Sequence, residues 1–389
     1  MQSRQRVRER TPEQEARIRD HEWDEIRGRD RALRIKLLAE RPRVVKFDSV
    51  PWEQSRSAYH KVFTTYDLPT AERKPWNALM GTLRVMMQII PTGHKNANHR
   101  HIAEVPFYIH EGKGHEVHDG RRHDWEAGDL MIVPPYCMHQ HFCDEGPAIL
   151  VYCQAGHGPF VVGGGGGEQM ETHESWEMPE DGKALYDANG DLVGYRRGDV
   201  EFVFRNRPEE REALAARTFD QPPTPSHEAN DSYEYFVRQF QEECYWRQNV
   251  PQVIQQRTRT WEYTRNGKTL WFLHPAQPEL QVGMKLFESY LMELPPGGRS
   301  GKHRHLGDEA HFIIEGSGYD EIDGVRWDWD TQDVVAIPNL ATHQSFNADP
   351  DRPAKFLVYK SRTFDYASFA GIEHFEDAYP LGPTNGARG

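Results

Sequence analysis

The chain has 389 residues, enough for two or three domains, and a formal net charge of −13. That negative balance argues against nucleic acid or an anionic membrane as the main partner. No apolar run approaches the ~20 residues a membrane helix needs, and the four cysteines form no C-x-x-C pair, which favours reduced thiols in a cytoplasmic protein over a disulfide framework.

The N-terminus, MQSRQRVRERTPEQEARIRD, has no apolar signal-peptide core. Residues 11–41 predict a charged helix, opened by Thr11-Pro12 and closed by Pro42. Its apolar positions Ile18, Trp23, Ile26, Leu33, Leu37 and Leu38 fall at roughly helical spacing, a stripe that packs on the domain or on a neighbouring subunit. This makes 1–75 an N-terminal helical segment. Over 76–162, short apolar runs such as TLRVMMQII, VPFYIHEG and AILVYC alternate with turn signals such as Asp119-Gly120, an all-β pattern. GGGGGEQ from Gly163 reads as a flexible joint. The segment 163–281 is mixed, with a hairpin expected around Asn189-Gly190 and helices over 208–217 and 227–247. DANGD (187–191) reads as a turn, since a calcium loop lacks its later glutamate here. The β pattern returns over 282–362. Residues 363–389 form an aromatic-rich tail for a barrel mouth or a subunit contact.

The return is an internal repeat. His99-Arg100-His101 recurs as His303-Arg304-His305, Glu111-Gly112 as Glu315-Gly316, Trp125 as Trp329, Asp129 as Asp333 and His139 as His343, each 204 residues on. Only the loop before the last strand changes the spacing: Tyr152 and Tyr359, which end that strand, are 207 apart. One β-domain is written twice.

Ten of the 20 histidines lie between His94 and His157, a density that calls for a use. Side chains at i and i+2 of a strand share a face. His99 and His101 therefore share one, as do His303 and His305, and His139 and His343 bring a third imidazole from a later strand. Glu309, four residues past His305, faces the same interior. Glu104, three past His101, faces away, and Val105 takes the interior place. The expected sets are a bare three-His site and a three-His-one-Glu site, with up to two metals per chain. Hydrogen-bonded core histidines are the bland alternative, and the intact duplication weighs against it. Imidazole suits Fe, Mn, Co, Ni, Cu and Zn; without thiolates, a zinc structural knot is disfavoured. His141 shares parity with His139, and His311 with Glu309. Arg84 and Gln88 lie on a strand leading to the first set. These four are the candidate catalytic or substrate contacts, against packed histidines and a surface ion pair. No G-x-G-x-x-G nucleotide fingerprint occurs.

The pattern resembles the two cupin motifs. Gly297, His303, His305, Glu309 and Gly316 fit the first. Pro338, His343 and Asn347 fit the second, with Gln332 and Leu340 in place of its two glycines. In the first copy Gly128, Pro134 and His139 match, with Tyr136 and Cys143 at the second glycine and the asparagine. The resemblance implies a mainly β bicupin of two double-stranded β-helix (jelly-roll) barrels, with an N-terminal helix and a helical inter-barrel segment, assembled as a homo-oligomer (dimer or tetramer). Within bicupins, an HRH without a glutamate ligand, followed by Gly112, resembles gentisate 1,2-dioxygenase and its salicylate and 1-hydroxy-2-naphthoate relatives. That implies Fe(II) on His99, His101 and His139, and O2-dependent opening of a small hydroxylated aromatic ring. Two departures stand out: the second copy keeps all four ligands, and Phe107 stands where the family often has arginine. Quercetin dioxygenase and oxalate decarboxylase also use three-His-one-Glu sets. A dioxygenase or decarboxylase acting at the second barrel, and a non-catalytic metal-holding bicupin, therefore stay open.

Overall fold

A computed structural model describes residues 29, 32–34, 36–55, 57–66, 68–101, 103–135, 137–155, 167–169, 173, 180, 182–186, 188, 190, 192–198, 200–203, 221–277, 284–363 and 371–380. Most of the expected helix over 11–41, the expected helix over 208–217 and the first residues of the glycine run lie outside them. Where the N-terminal helix is described it packs on its own domain. Leu37 is buried with Ala71 and Leu79, and Arg34 donates to the carbonyl of Tyr66 at 2.9 Å.

Each repeat folds into a β-barrel. In the first, the long strands Val105–His118 and His139–Ala155 pair with each other and run through both walls. Leu83–Ile90 and Tyr59–Val62 extend one wall. In the second, Phe287–Leu294, Glu309–Glu315 and Ala354–Ser361 form one wall and Lys302–His305, Gly318–Ile322 and His343–Asn347 the other. Leu83–Ile90 is buried on both faces because one looks into its barrel and the other toward the second barrel. That explains why its apolar residues fall on both faces, with only Arg84 and Gln88 polar, rather than alternating with polar ones. One shared core, from Leu83, Met87 and Tyr108 to Phe287, Phe312 and Tyr359, joins the two barrels.

The barrels exchange edge strands. Val44–Val45, which precedes the first barrel, pairs with Val334–Ile337 of the second. Val253–Ile254, which precedes the second, pairs with Leu130–Val133 of the first. A 3-10 turn follows each exchanged strand, and an aspartate of the receiving barrel holds it. Phe47 N–H donates to Asp333 Oδ1 at 2.9 Å, and Gln256 N–H to Asp129 Oδ1 at 3.1 Å. The 1–75 segment thus supplies strands as well as helix, and the inter-barrel segment supplies an edge of the first barrel.

The hairpin around Asn189-Gly190 forms, from Lys183–Tyr186 and Leu192–Arg197. The helix expected over 227–247 runs Ser232–Asn249, its start set by Asp231, which accepts from Glu234 N–H at 2.8 Å. Two expectations change. The end of the glycine-rich joint, Gly167–Gln169, is a strand paired with His99–His101. In the tail, Ile372–Glu376 is a strand paired with Lys302–His305 and so part of the second barrel.

The spacing of the last strand also changes. Tyr152 lies opposite Met86 and Phe107, whereas the equivalents Tyr290 and His311 lie opposite Val358. The offset is therefore 206, and Tyr359 matches Cys153. The one-residue slip puts Tyr359 on the opposite face from Tyr152. There its hydroxyl donates to the Val151 carbonyl across the barrel junction at 2.8 Å. Finally, Gln332 (φ 71°) and Leu340 (φ 64°) keep the left-handed backbone of the motif glycines they replace.

Candidate metal centres

In the first barrel, His99 and His101 come from one strand and His139 from the start of a neighbouring one, directly opposite His99. Their ligand atoms lie within 4.8 Å of one another. Each Nδ1 faces a backbone carbonyl: Ala97 at 2.8 Å, Ala103 at 2.7 Å and Cys137 at 2.9 Å. A carbonyl only accepts, so each Nδ1 carries the proton and each Nε2 presents a lone pair. Buried His139 Nε2 has no hydrogen-bond partner among the described residues. Burial, then the neighbouring imidazoles, pushes His139 well below its usual pKa. Burial and His101 bring His99 down to about 3, and burial brings His101 to about 4. The three are neutral bases at ordinary pH, the form a divalent metal requires.

Two of these ligands, His99 and His101, line a cavity of about 260 Å³ together with Val105, Phe107, Tyr152 and His60. Arg84, Gln88 and His141, singled out from sequence, line it too. Phe107 and Tyr152 stack at 4.7 Å, making an aromatic wall. The Gln88 side-chain nitrogen and His141 Nε2 are buried without a partner.

The sequence reading missed Glu116. It is fully buried, and its two oxygens accept from His141 Nδ1 and His118 Nε2. Burial alone raises a carboxyl, but the two histidines outweigh it and hold Glu116 at about 2. An ionised carboxylate thus fixes the His141 tautomer and leaves its Nε2 lone pair bare.

The second barrel gathers His303, His305, Glu309 and His343 within the same 4.8 Å limit, all buried. Their imidazole Nδ1 atoms again face carbonyls, of Gly301, Leu306 and Ala341. His305 Nε2 and Glu309 Oε2 are 3.0 Å apart, the spacing of two adjacent donors around one ion with ~2.1 Å bonds. Burial raises Glu309, but bonds from His305, His311 and His343 outweigh it and hold it well below the usual carboxylate range. His311, expected in a substrate cavity, instead binds Glu309 Oε1 at 2.7 Å, with Asp320 3.5 Å behind it. Trp271, Tyr290, Met292 and Phe356 fill the places that Val62, Met86, Gln88 and Leu150 hold in the first barrel. Glu104 faces away from the first site, as parity required, and accepts from the N–H groups of Lys285 and Leu286.

Both ligand sets fit a divalent ion: convergent Nε2 atoms with each Nδ1 turned to a carbonyl and, in the second, one anionic oxygen. The cupin domain family matches the chain twice, over residues 86–154 and 290–359; two cupin domains are present. Gentisate 1,2 dioxygenase 1 of Aquipseudomonas alcaligenes is 21% identical over 255 residues, 65% of this chain, and the match spans 63% of that relative's length. Two structures of Bacillus subtilis oxalate decarboxylase variants align over 82% of this chain and 76% of theirs, at 15% identity, with TM-scores of 0.48 and 0.49.

Proposed function

We propose that this two-cupin chain is an Fe(II)-dependent dioxygenase that opens the ring of a hydroxylated aromatic acid with O2 in its first barrel. One observation carries the reading: a cluster of three neutral imidazoles, two of which (His99 and His101) line a cavity that has an aromatic wall and, among the described residues, polar groups without partners. The similarity to a gentisate dioxygenase supports it. Bound to the three histidines, the iron would supply the redox chemistry with O2 and a hold on two substrate oxygens.

The chain's own groups do the rest. Val105, at the place of Glu309, donates no ligand and leaves room for substrate. The stacked pair Phe107 and Tyr152 forms one wall beside the ring. His141 Nε2 takes the proton of a ring hydroxyl, with Glu116 holding the imidazole in position. Gln88 donates to a substrate oxygen.

The second centre reads as a structural metal, because larger side chains take four of its inner places (Trp271, Tyr290, Met292 and Phe356) and Glu309 is engaged by His311. Its complete ligand set supports the other reading, a dioxygenase or decarboxylase acting there. Fe, Mn, Ni, Cu, Co and Zn all suit the donors. Four buried free thiols support a reducing, cytoplasmic setting. Among the described residues no helix is long and apolar enough to cross a membrane. A homo-oligomer, dimer or tetramer, belongs to the same reading; Tyr233, Phe236 and Phe240 form an exposed stripe on the helix Ser232–Asn249 that supports it. Light scattering gives the mass.

The test is O2 uptake by Fe(II)-loaded protein with gentisate, salicylate and 1-hydroxy-2-naphthoate. Uptake with one of these and a ring-opened product are expected. Uptake with none overturns the reading.

A further inference from the structure

Arg84 lies directly opposite Gln154 on the neighbouring strand, and both line the cavity together with Val105. Side chains opposite one another in an antiparallel pair share a face. In the second barrel the same three places hold Glu288, Lys360 and Glu309, again in register. There Lys360 donates to Glu288 at 3.1 Å and Arg362 lies 3.8 Å from its other oxygen. Those charges meet within the protein.

In the first barrel the pair is broken. Arg84 stands in place of the glutamate, and Gln154 in place of the lysine. Among the described residues Arg84 makes no ion pair, and its Nε is buried without a partner. Among the described residues no aspartate or glutamate lines the cavity. His60, beside Arg84, is brought down to about 4 by burial and then by that guanidinium, so it adds no charge at neutral pH. A divalent ion on three neutral imidazoles would leave the cavity more positive still. An anionic ligand restores balance, and a planar guanidinium is suited to a carboxylate.

We infer that Arg84 binds the carboxylate of the substrate and sets the first barrel's preference for acids; this rests on the aromatic-acid reading above. The charge reversal at Glu288 excludes the same ligand from the second barrel.

Titration calorimetry of the metal-loaded protein with 2,5-dihydroxybenzoate and with 1,4-dihydroxybenzene, which lacks only the carboxylate, tests this. The unaltered protein is expected to bind the acid more tightly. Arg84→Met is expected to weaken the acid roughly 10- to 100-fold and leave the diol unchanged, with Arg84→Lys recovering part of the loss. Equal loss for both probes in Arg84→Met, or no loss for the acid, overturns the assignment while ring opening stands. Acid preference abolished by Arg84→Met, without O2 uptake by the unaltered protein, upholds Arg84 as the anion site and overturns ring opening.

Discussion

Glu104 and Asp308, each three residues past an H-x-H, hold one another's barrels. Glu104 accepts from the N–H of Leu286 at 2.7 Å and of Lys285 at 2.9 Å. Asp308 accepts from the N–H and, at 2.8 Å, the hydroxyl of Thr82, the residue 204 positions before Leu286. The two contacts are symmetric in place but not in cost, because burial raises Glu104 to about 7 despite its two N–H donors.

Stability is therefore expected to depend on pH through Glu104. A carboxyl whose folded pKa exceeds its unfolded one binds more protons when folded, so its contribution is full below about pH 4.5. It is lost as the pH rises through about 7. Glu104→Gln removes that slope, so the melting-temperature gap between the two proteins narrows from pH 5 to 8. A gap that widens overturns the assignment. Asp308→Ala strands buried donors and is expected to cost more, about 1–3 kcal/mol for each.

Metal content separates the centres. Full loading is expected to give two divalent ions per chain by elemental analysis. His101→Ala removes one ion and all O2 uptake. His305→Ala removes the other and lowers the melting temperature more than turnover. Full uptake in His101→Ala places the chemistry in the second barrel.

Val105→Glu rebuilds in the first barrel the ligand that Glu309 provides in the second. Metal retention against a chelator is expected to rise roughly tenfold, and O2 uptake to fall, since the carboxylate takes a place needed by substrate. Unchanged uptake means that this position does not face the ion.

Glu116→Gln keeps the shape of the contact but turns one of the two acceptor oxygens shared by His141 and His118 into a donor and removes the negative charge. Turnover is expected to fall roughly 100-fold with metal content unchanged. Loss of metal along with turnover makes Glu116 a structural group instead.

Leu340→Gly relieves a left-handed backbone at an exposed position. It is expected to stabilise the protein by about 1 kcal/mol in denaturant melts.

The repeat and the parity of its strands made the two clusters of candidate metal-binding side chains legible in sequence, because they rest on local spacing. His141 followed by the same parity, and Arg84 and Gln88 from their place on a strand leading to the first set. Glu116 did not, since its meeting with His141 depends on register between strands that carry a bulge between Cys143 and Ile149. Val44–Val45 is too short to show a period, and its partner lies ~290 residues away. Tyr359 was misaligned because two tyrosines near a variable loop look equivalent until pairing fixes the face.

The exchange of Val44–Val45 and Val253–Ile254 bears on how such a chain arises. Two separate copies of one barrel, each lending its leading strand to the other, would make a two-fold swapped dimer. Joining those copies end to end gives the present connectivity without redrawing a single contact. Divergence then had two distinct interiors to work on: one with a cavity beside three imidazoles, the other with larger side chains and a glutamate beside its three. Neither half is a portable module, because a cut between them leaves each sheet with a bare edge.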